Sequence, residues 1–200
     1  VALPAAMTRF GADFYKRFYV NPHTRVTTRA EMERRAGLIA ALVKQLEVPV
    51  RRILDAGCGL GWMRGELVRA FPKASYVGLE VSEHLCSRYG WVHGSLATYR
   101  PRTRFDIVIC YDVMQYLPDA EAVRALSNLG RLCRGALYFH APTSEDWRRN
   151  ADRTCSDAQI RLRATQWYRA RLARNFCHAG CGVHVRRGVP VMQWELEKSD

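Results

Sequence analysis

Ile53-Leu54-Asp55-Ala56-Gly57-Cys58-Gly59-Leu60-Gly61 is the stretch from which the architecture of this chain can be read. The apolar run RRILDA (51–56) has the length of a buried strand. Glycines at alternate positions then break it, and residues 62–71 resume with Met63, Leu67, Ala70 and Phe71 at helical spacing. A strand, a glycine turn and a helix let backbone approach a ligand closely and offer it the free N–H groups of a helix start. By itself this marks a nucleotide site. A dinucleotide fingerprint wants G-x-G-x-x-G; here the spacing is G-x-G-x-G, and an acid, Asp55, stands two residues before the first glycine.

Working outward, strands and helices alternate. SYVGLE (75–80), WVH (91–93), FDIVICY (105–111) and ALYFHA (136–141) read as strands, and the almost wholly apolar FDIVICY suits a buried parallel one. SEHLCSRY reads as a short helix, and 119–133 as a longer one with Ala122, Leu126, Leu129 and Cys133 inward and Gly135 as its stop. Upstream, Met32, Ala36, Ile39, Val43 and Leu46 predict a helix over 29–47, with Thr28 as cap and Glu31, Glu33, Arg34 and Arg35 outward. Downstream of a polar, arginine-rich stretch (143–164), a helix is expected over 165–179 with Tyr168, Leu172, Phe176 and Ala179 inward. GVHVRRG and PVMQWELE are expected to close the sheet as a pair of strands. Such alternation implies a parallel sheet covered by helices on both faces.

Two further signals sit at strand ends. Glu80 ends the strand after the glycine turn, about 20 residues on, where a carboxylate can accept from paired ribose hydroxyls. FDIVICYDVMQYLPD (105–119) opens from a buried strand into Tyr111, Asp112, Gln115 and Tyr116, and loops at such strand ends build the ligand crevice.

Together LDAGCGLG, VGLEVSE and FDIVICYDVMQYLPD resemble the class I S-adenosylmethionine-dependent methyltransferases, strongly over 50–142 and more loosely to the end. The resemblance implies an α/β, Rossmann-like three-layer sandwich, with a mostly parallel seven-stranded sheet and a C-terminal antiparallel strand. It also implies S-adenosyl-L-methionine as cofactor. Asp55, Gly57, Cys58, Gly59 and Gly61 would wrap its methionine portion, Glu80 would bind the ribose and Val81 would pack on the adenine. Ser95 and Leu96 would meet the adenine edge, and Cys110 and Tyr111 would lie beside the sulfonium. Many relatives carry an acid at the Ser95 position, so that contact would be weaker or made by backbone. Cys58 is read as a small residue in a tight turn.

Methyl transfer from a sulfonium is an in-line displacement whose leaving group is already activated, so positioning supplies much of the rate. Tyr111 and Trp62 are suited to the sulfonium charge. A general base is needed where the acceptor keeps its proton at neutral pH; the candidates are His140, at the end of ALYFH, and Asp112. Tyr15 and Tyr19 could close over the cofactor or serve as core aromatics. No Asn-Pro-Pro-Tyr motif follows 105–110, where the sequence reads Cys-Tyr-Asp-Val, and no paired-glutamate loop occurs, which disfavours base-amino and protein-arginine methylation. Cys177-His178-x-x-Cys181 with His184 has ligand types for zinc but a spacing that matches no common knuckle, so no metal is expected.

At 200 residues and 48% apolar composition the chain suits one core. Residues 1–47 are read as an N-terminal helical cap and 48–200 as the cofactor-binding domain. No apolar run is long enough to cross a bilayer, and VALPAAMTRF lacks the basic leader of a signal peptide. Seven cysteines, an odd number set mostly in apolar segments, suit a reducing cytoplasm. The net charge of +12 comes almost entirely from arginine. It points to an anionic partner, or to codon usage alone. A compact domain with an aromatic N-terminal segment favours a small-molecule acceptor. The alternatives are an RNA or protein methyltransferase using the arginines of 148–174, and a non-catalytic cofactor-binding module.

Overall fold

The computed structural model describes residues 9–195. A seven-stranded sheet is built from β1 (Arg52–Ala56), β2 (Ser75–Glu80), β3 (Val92–His93), β4 (Phe105–Tyr111), β5 (Cys133–His140), β6 (Phe176–Gly180) and β7 (Val183–Arg186), in the order β3-β2-β1-β4-β5-β7-β6. The first five strands are parallel; β7 runs antiparallel to both β5 and β6. Alternate residues of the central strands serve opposite faces. Leu54, Val108 and Leu137 pack with Leu126 and Leu129 of one helix (Asp119–Leu132) and with Tyr168 and Leu172 of another (Thr165–Leu172). Ile53, Ile107, Ile109 and Ala136 face the other way, onto Ile39 and Val43 of the helix Arg29–Gln45 and Leu67 of Arg64–Ala70. This is the three-layer sandwich expected from the alternation. Truncating a fully buried side chain such as Leu54 to alanine is expected to cost roughly 2–5 kcal/mol.

The helix Arg29–Gln45 starts as read. Thr28 accepts from the Glu31 N–H while the Glu31 carboxylate accepts from the Thr28 N–H, a capping box. Arg35 is not outward, however. It is half-buried, donates to the Tyr138 hydroxyl at 2.8 Å and lies over the Tyr111 ring at 4.5 Å. The helix lays its apolar side into the sheet, whereas residues 12–20, an α-turn continued by a π-turn (Lys16–Val20), sit over the strand ends.

Three further expectations are corrected. Gly135 does not stop a helix, because the chain passes directly from Leu132 into β5 at Cys133. Gly135 lies within that strand, where a Cβ would overlap the Asp106 carbonyl and Val48. The helix expected over 165–179 ends at Leu172, and Phe176–Gly180 is strand, since cross-strand pairing with β7 places Phe176 in the core. The closing pair is therefore β6 and β7, turning at Cys181 and Gly182. Residues 190–194 of PVMQWELE are not strand, and 196–197 fall outside the described residues. The excursion at 143–164 contains a short helix (Ser144–Arg149) and is pinned at its base, where the Ser144 N–H donates to the Arg163 carbonyl at 3.0 Å.

Candidate functional site

Parallel strands bring their carboxyl ends to one edge, and every motif singled out from the sequence ends there. At the end of β1 the Gly57 and Cys58 N–H groups donate to the Leu79 carbonyl at 2.7 and 3.2 Å, which ties the turn to β2. Gly57 has φ +78°, and a Cβ there would overlap Val113. No side chain fits at Gly57, so bare backbone borders the cleft. Trp91, just before β3, secures the turn from below: its indole N–H donates to the Gly59 carbonyl at 3.0 Å and its ring packs under Gly61.

Asp55 is almost wholly buried behind this turn and accepts from the Tyr76 hydroxyl at 2.6 Å. Burial raises its pKa to about 6, against the Tyr76 hydrogen bond and with a further push from Glu80. Cys58 is likewise raised by burial and by the nearby acids, so it is a thiol packed against Gly78 rather than a nucleophile.

Glu80 is 4% exposed, and its carboxylate is an anchor as well as a ligand group. One oxygen accepts from the N–H groups of Val81 and Ser82 at 2.8 and 3.0 Å, the other from Gly59 at 2.9 Å. A carboxylate has about four lone-pair directions, so the oxygen bonded to Gly59 keeps one for a further donor. Glu80, Val81, Ser95 and Leu96 line a cleft of about 940 Å³, which Phe10, Tyr15 and Tyr116 also wall.

A smaller chamber of about 60 Å³ adjoins it, and Tyr19, Gly57, Gly59 and Asp112 border both. Asp55, Cys58, Trp62, Tyr111 and Met32 are also in its wall. Tyr19 comes from the π-turn and meets Trp62 edge-on at 5.9 Å. Asp112 has φ +54°, rare outside glycine though tolerated by aspartate. Two bonds hold it: its N–H donates to the His140 carbonyl at 3.1 Å, and its Oδ1 lies 2.7 Å from His140 Nδ1. The His140 ring stacks on Tyr111 at 5.0 Å, and Arg35 covers Tyr111 as well.

The structure therefore gathers Asp55, Gly57, Cys58, Gly59, Glu80, Val81, Ser95, Leu96, Tyr111 and Asp112 around two connected cavities. Three of the expected residues line neither. Gly61 is packed on Trp91, Cys110 is fully buried in the core, and His140 stands behind Asp112 at the rim. Of the arginines in 148–174, only Arg161 lines the cleft. Arg163 is buried: it donates to the Met114 and Leu117 carbonyls and to Asp119 at 2.6–3.0 Å, clamping the loop after β4. Nothing in the sequence around Arg163 distinguishes it from its exposed neighbours. Arg9 was equally hidden. It bonds Asp157 and the Gln159 carbonyl at 2.6 Å and lies over Tyr116, joining the N-terminal segment to the excursion above the cleft.

The family model described as a methyltransferase domain matches residues 29–184. Trans-aconitate 2-methyltransferase of Azoarcus sp. (strain BH72) is 29% identical over 103 residues, 47% of this chain and 40% of that protein. Malonyl-[acyl-carrier protein] O-methyltransferase of Legionella pneumophila is 40% identical over 53 residues, 24% of this chain and 19% of that protein. The aligned stretches thus span less than half the length of either relative. Among solved structures, magnesium protoporphyrin IX methyltransferase from Synechocystis PCC 6803 with bound SAH superposes with TM-score 0.65 at 19% identity, over 90% of this chain and 98% of that one. N-methyltransferase NodS from Bradyrhizobium japonicum WM9, in complex with S-adenosyl-L-homocysteine, gives 0.57 at 15% identity, over 78% and 88%. At these identities the likeness is one of fold.

Proposed function

The chain belongs to the methyltransferase-domain family, and on that premise we propose that it binds S-adenosylmethionine in the cleft and methylates a small molecule that enters beside Asp112. The observation that carries this reading is the joining of two features in one cavity: a glycine turn whose bare backbone borders it at Gly57 and Gly59, and the buried Glu80 carboxylate with one lone pair to spare. When bound, the cofactor supplies an activated methyl group on a cationic sulfur. The residues present fit it. Glu80 accepts from the ribose, Val81 and Leu96 cover the base, and Ser95 offers its edge a polar group. Gly57 and Gly59 admit the methionine portion, and Tyr19, Trp62 and Tyr111 line the adjoining chamber with aromatic side chains.

The cavity size supports a small acceptor, since sites of about 300–1,000 Å³ take ligands of drug size and the cofactor itself occupies part of this one. Only one arginine of the 148–174 stretch reaches the cleft, which supports neither RNA nor a protein tail as acceptor. Asp112 meets the reacting space and accepts a hydrogen bond from the acceptor's N–H or O–H. Asp112 takes that proton, and His140, at the solvent-facing rim with its Nδ1 on Asp112 Oδ1, holds the carboxylate in position. The seven thiols are all free, which supports a reducing compartment such as the cytoplasm. Among the described residues no helix is long and apolar enough to cross a membrane.

Calorimetric titration with S-adenosylmethionine and with S-adenosylhomocysteine tests the first half. Release of labelled S-adenosylhomocysteine during a screen of small amines, alcohols and acids tests the second. Absence of heat with both nucleosides on folded protein overturns the reading.

A further inference from the structure

The opposite edge of the sheet, where the parallel strands begin, carries positive charge that the site does not use. Arg104 precedes β4, Arg131 and Arg134 flank the start of β5, Arg174 precedes β6, and Arg186 and Arg187 end the antiparallel β7, so topology brings all six to one edge. Four of them are held in place by hydrogen bonds. Arg104 donates to the Cys133 carbonyl at 2.9 Å, Arg186 to the Gly130 carbonyl and the Asn175 side chain, and Arg187 to the Ala173 carbonyl at 2.7 Å. Carbonyl partners fix a guanidinium in place without neutralising it. Among the described residues the one ion pair in the group is Arg134–Asp106, at 2.6 Å. That aspartate is already drawn down by Arg134 and by the N–H groups of Arg51 and Arg52. Among the described residues one ion pair thus serves six guanidinium groups; Glu47, in the loop before β1, is the other acid at this edge.

We propose that this edge is a docking face for nucleic acid. Fixed, forked guanidinium groups match phosphate oxygens, for which arginine is better suited than lysine. No exposed large apolar side chain lies among the residues that carry the six arginines; Met192 and Trp194 follow Arg187 by five and seven residues. A protein partner would want an apolar or aromatic centre there, and an anionic membrane would want apolar residues to insert. What remains is a contact dominated by charge, as in protein–nucleic acid interfaces. The face is remote from the chemistry: β4 alone, seven residues long, separates the two edges by about 20 Å. A strand bound there is not the methyl acceptor. Docking retains the enzyme on a polyanion while the cleft stays open to small molecules.

The test is fluorescence anisotropy with a labelled single-stranded RNA of about 20 nucleotides and a duplex DNA of similar length, over a range of salt. The triple variant Arg131→Glu, Arg174→Glu, Arg187→Glu is compared with the control Arg148→Glu, Arg149→Glu, Arg153→Glu, which removes equal charge from the excursion. We expect the first to weaken RNA binding at least about tenfold near 100 mM salt and to lower the slope of log K against log salt by about 2, with the control within about threefold of the parent. Glutamine versions of both triples separate loss of contacts from added repulsion, and an unaltered melting temperature confirms that each variant is folded. Equal weakening by both triples, no binding of the parent to either nucleic acid, or tighter binding to phosphatidylserine vesicles than to RNA overturns the proposal.

Discussion

Asp55→Asn should gain stability on the parent as pH rises to neutrality, an inversion of what losing a buried carboxylate bond usually does. The Asp55 carboxyl is buried and its pKa is raised from 3.8 to about 6, with burial the largest cause. A carboxyl with a raised folded pKa is held more firmly in its protonated form by the native state. The folded protein therefore binds the extra proton between about pH 4 and pH 6, and stability falls as pH rises through that window. Two pKa units at about 1.36 kcal/mol each give a penalty of about 3 kcal/mol, fully present above pH 6 and absent below pH 4. Asparagine keeps an oxygen for the Tyr76 hydroxyl and cannot ionise. Its amide adds a donor, so the variant has a constant offset but no titration. Urea unfolding of parent and variant at steps between pH 4 and pH 7.5 gives the difference in stability, from which groups common to both cancel. That difference should swing in the variant's favour by about 3 kcal/mol across the window, or roughly 6–12 °C in Tm for a chain of this size. A difference that stays flat with pH, or swings the other way, refutes the account of a destabilised carboxylate behind the turn. Because Asp55 also lines the small chamber, cofactor affinity is expected to drop in the same variant.

Glu80→Gln replaces an acceptor of three backbone N–H groups, and affinity for S-adenosylhomocysteine by calorimetry should fall roughly 10–100-fold, the worth of a charge-assisted hydrogen bond. Undiminished affinity would remove Glu80 from the ribose site. His140→Gln should lower kcat roughly 100-fold on an amine or alcohol acceptor and leave cofactor affinity intact; an undiminished kcat would mean that the Asp112–His140 pair takes no part in the reaction. Gly57→Ala, at φ +78° and against Val113, should cost roughly 2–4 kcal/mol in urea unfolding. His184 is held down to about 4 by burial and then by His178. Its depressed folded pKa contributes stability above pH 6.5 that is lost as pH falls toward 4, so its imidazole resonances in NMR should stay put down to about pH 5.

Local patterns carried a large part of this protein into view. The alternation of apolar strands with amphipathic helices, the alternate glycines after Asp55 and the acid at Glu80 each depend on residues a few positions apart. Backbone sterics and side-chain periodicity act over that range, and the sheet core, the cap at Thr28 and the glycine turn followed from them. Where local propensity competed with long-range pairing, pairing won. Residues 176–180 are strand because β7 lies beside them, and Gly135 is a strand residue because Asp106 crosses over it. Contacts between distant segments were beyond the reach of any local pattern. Arg163 serves the loop after β4 from about 45 residues away, Arg9 reaches Asp157 across most of the chain, and Trp91 holds a turn that precedes it by some 30. The sequence by itself determined that a nucleotide-type cradle exists and which strand ends compose it. Only the tertiary structure decided which side chains face the cavity, that His140 stands behind Asp112, and that fixed positive charge collects at the far edge, because those facts depend on where the chain returns in space.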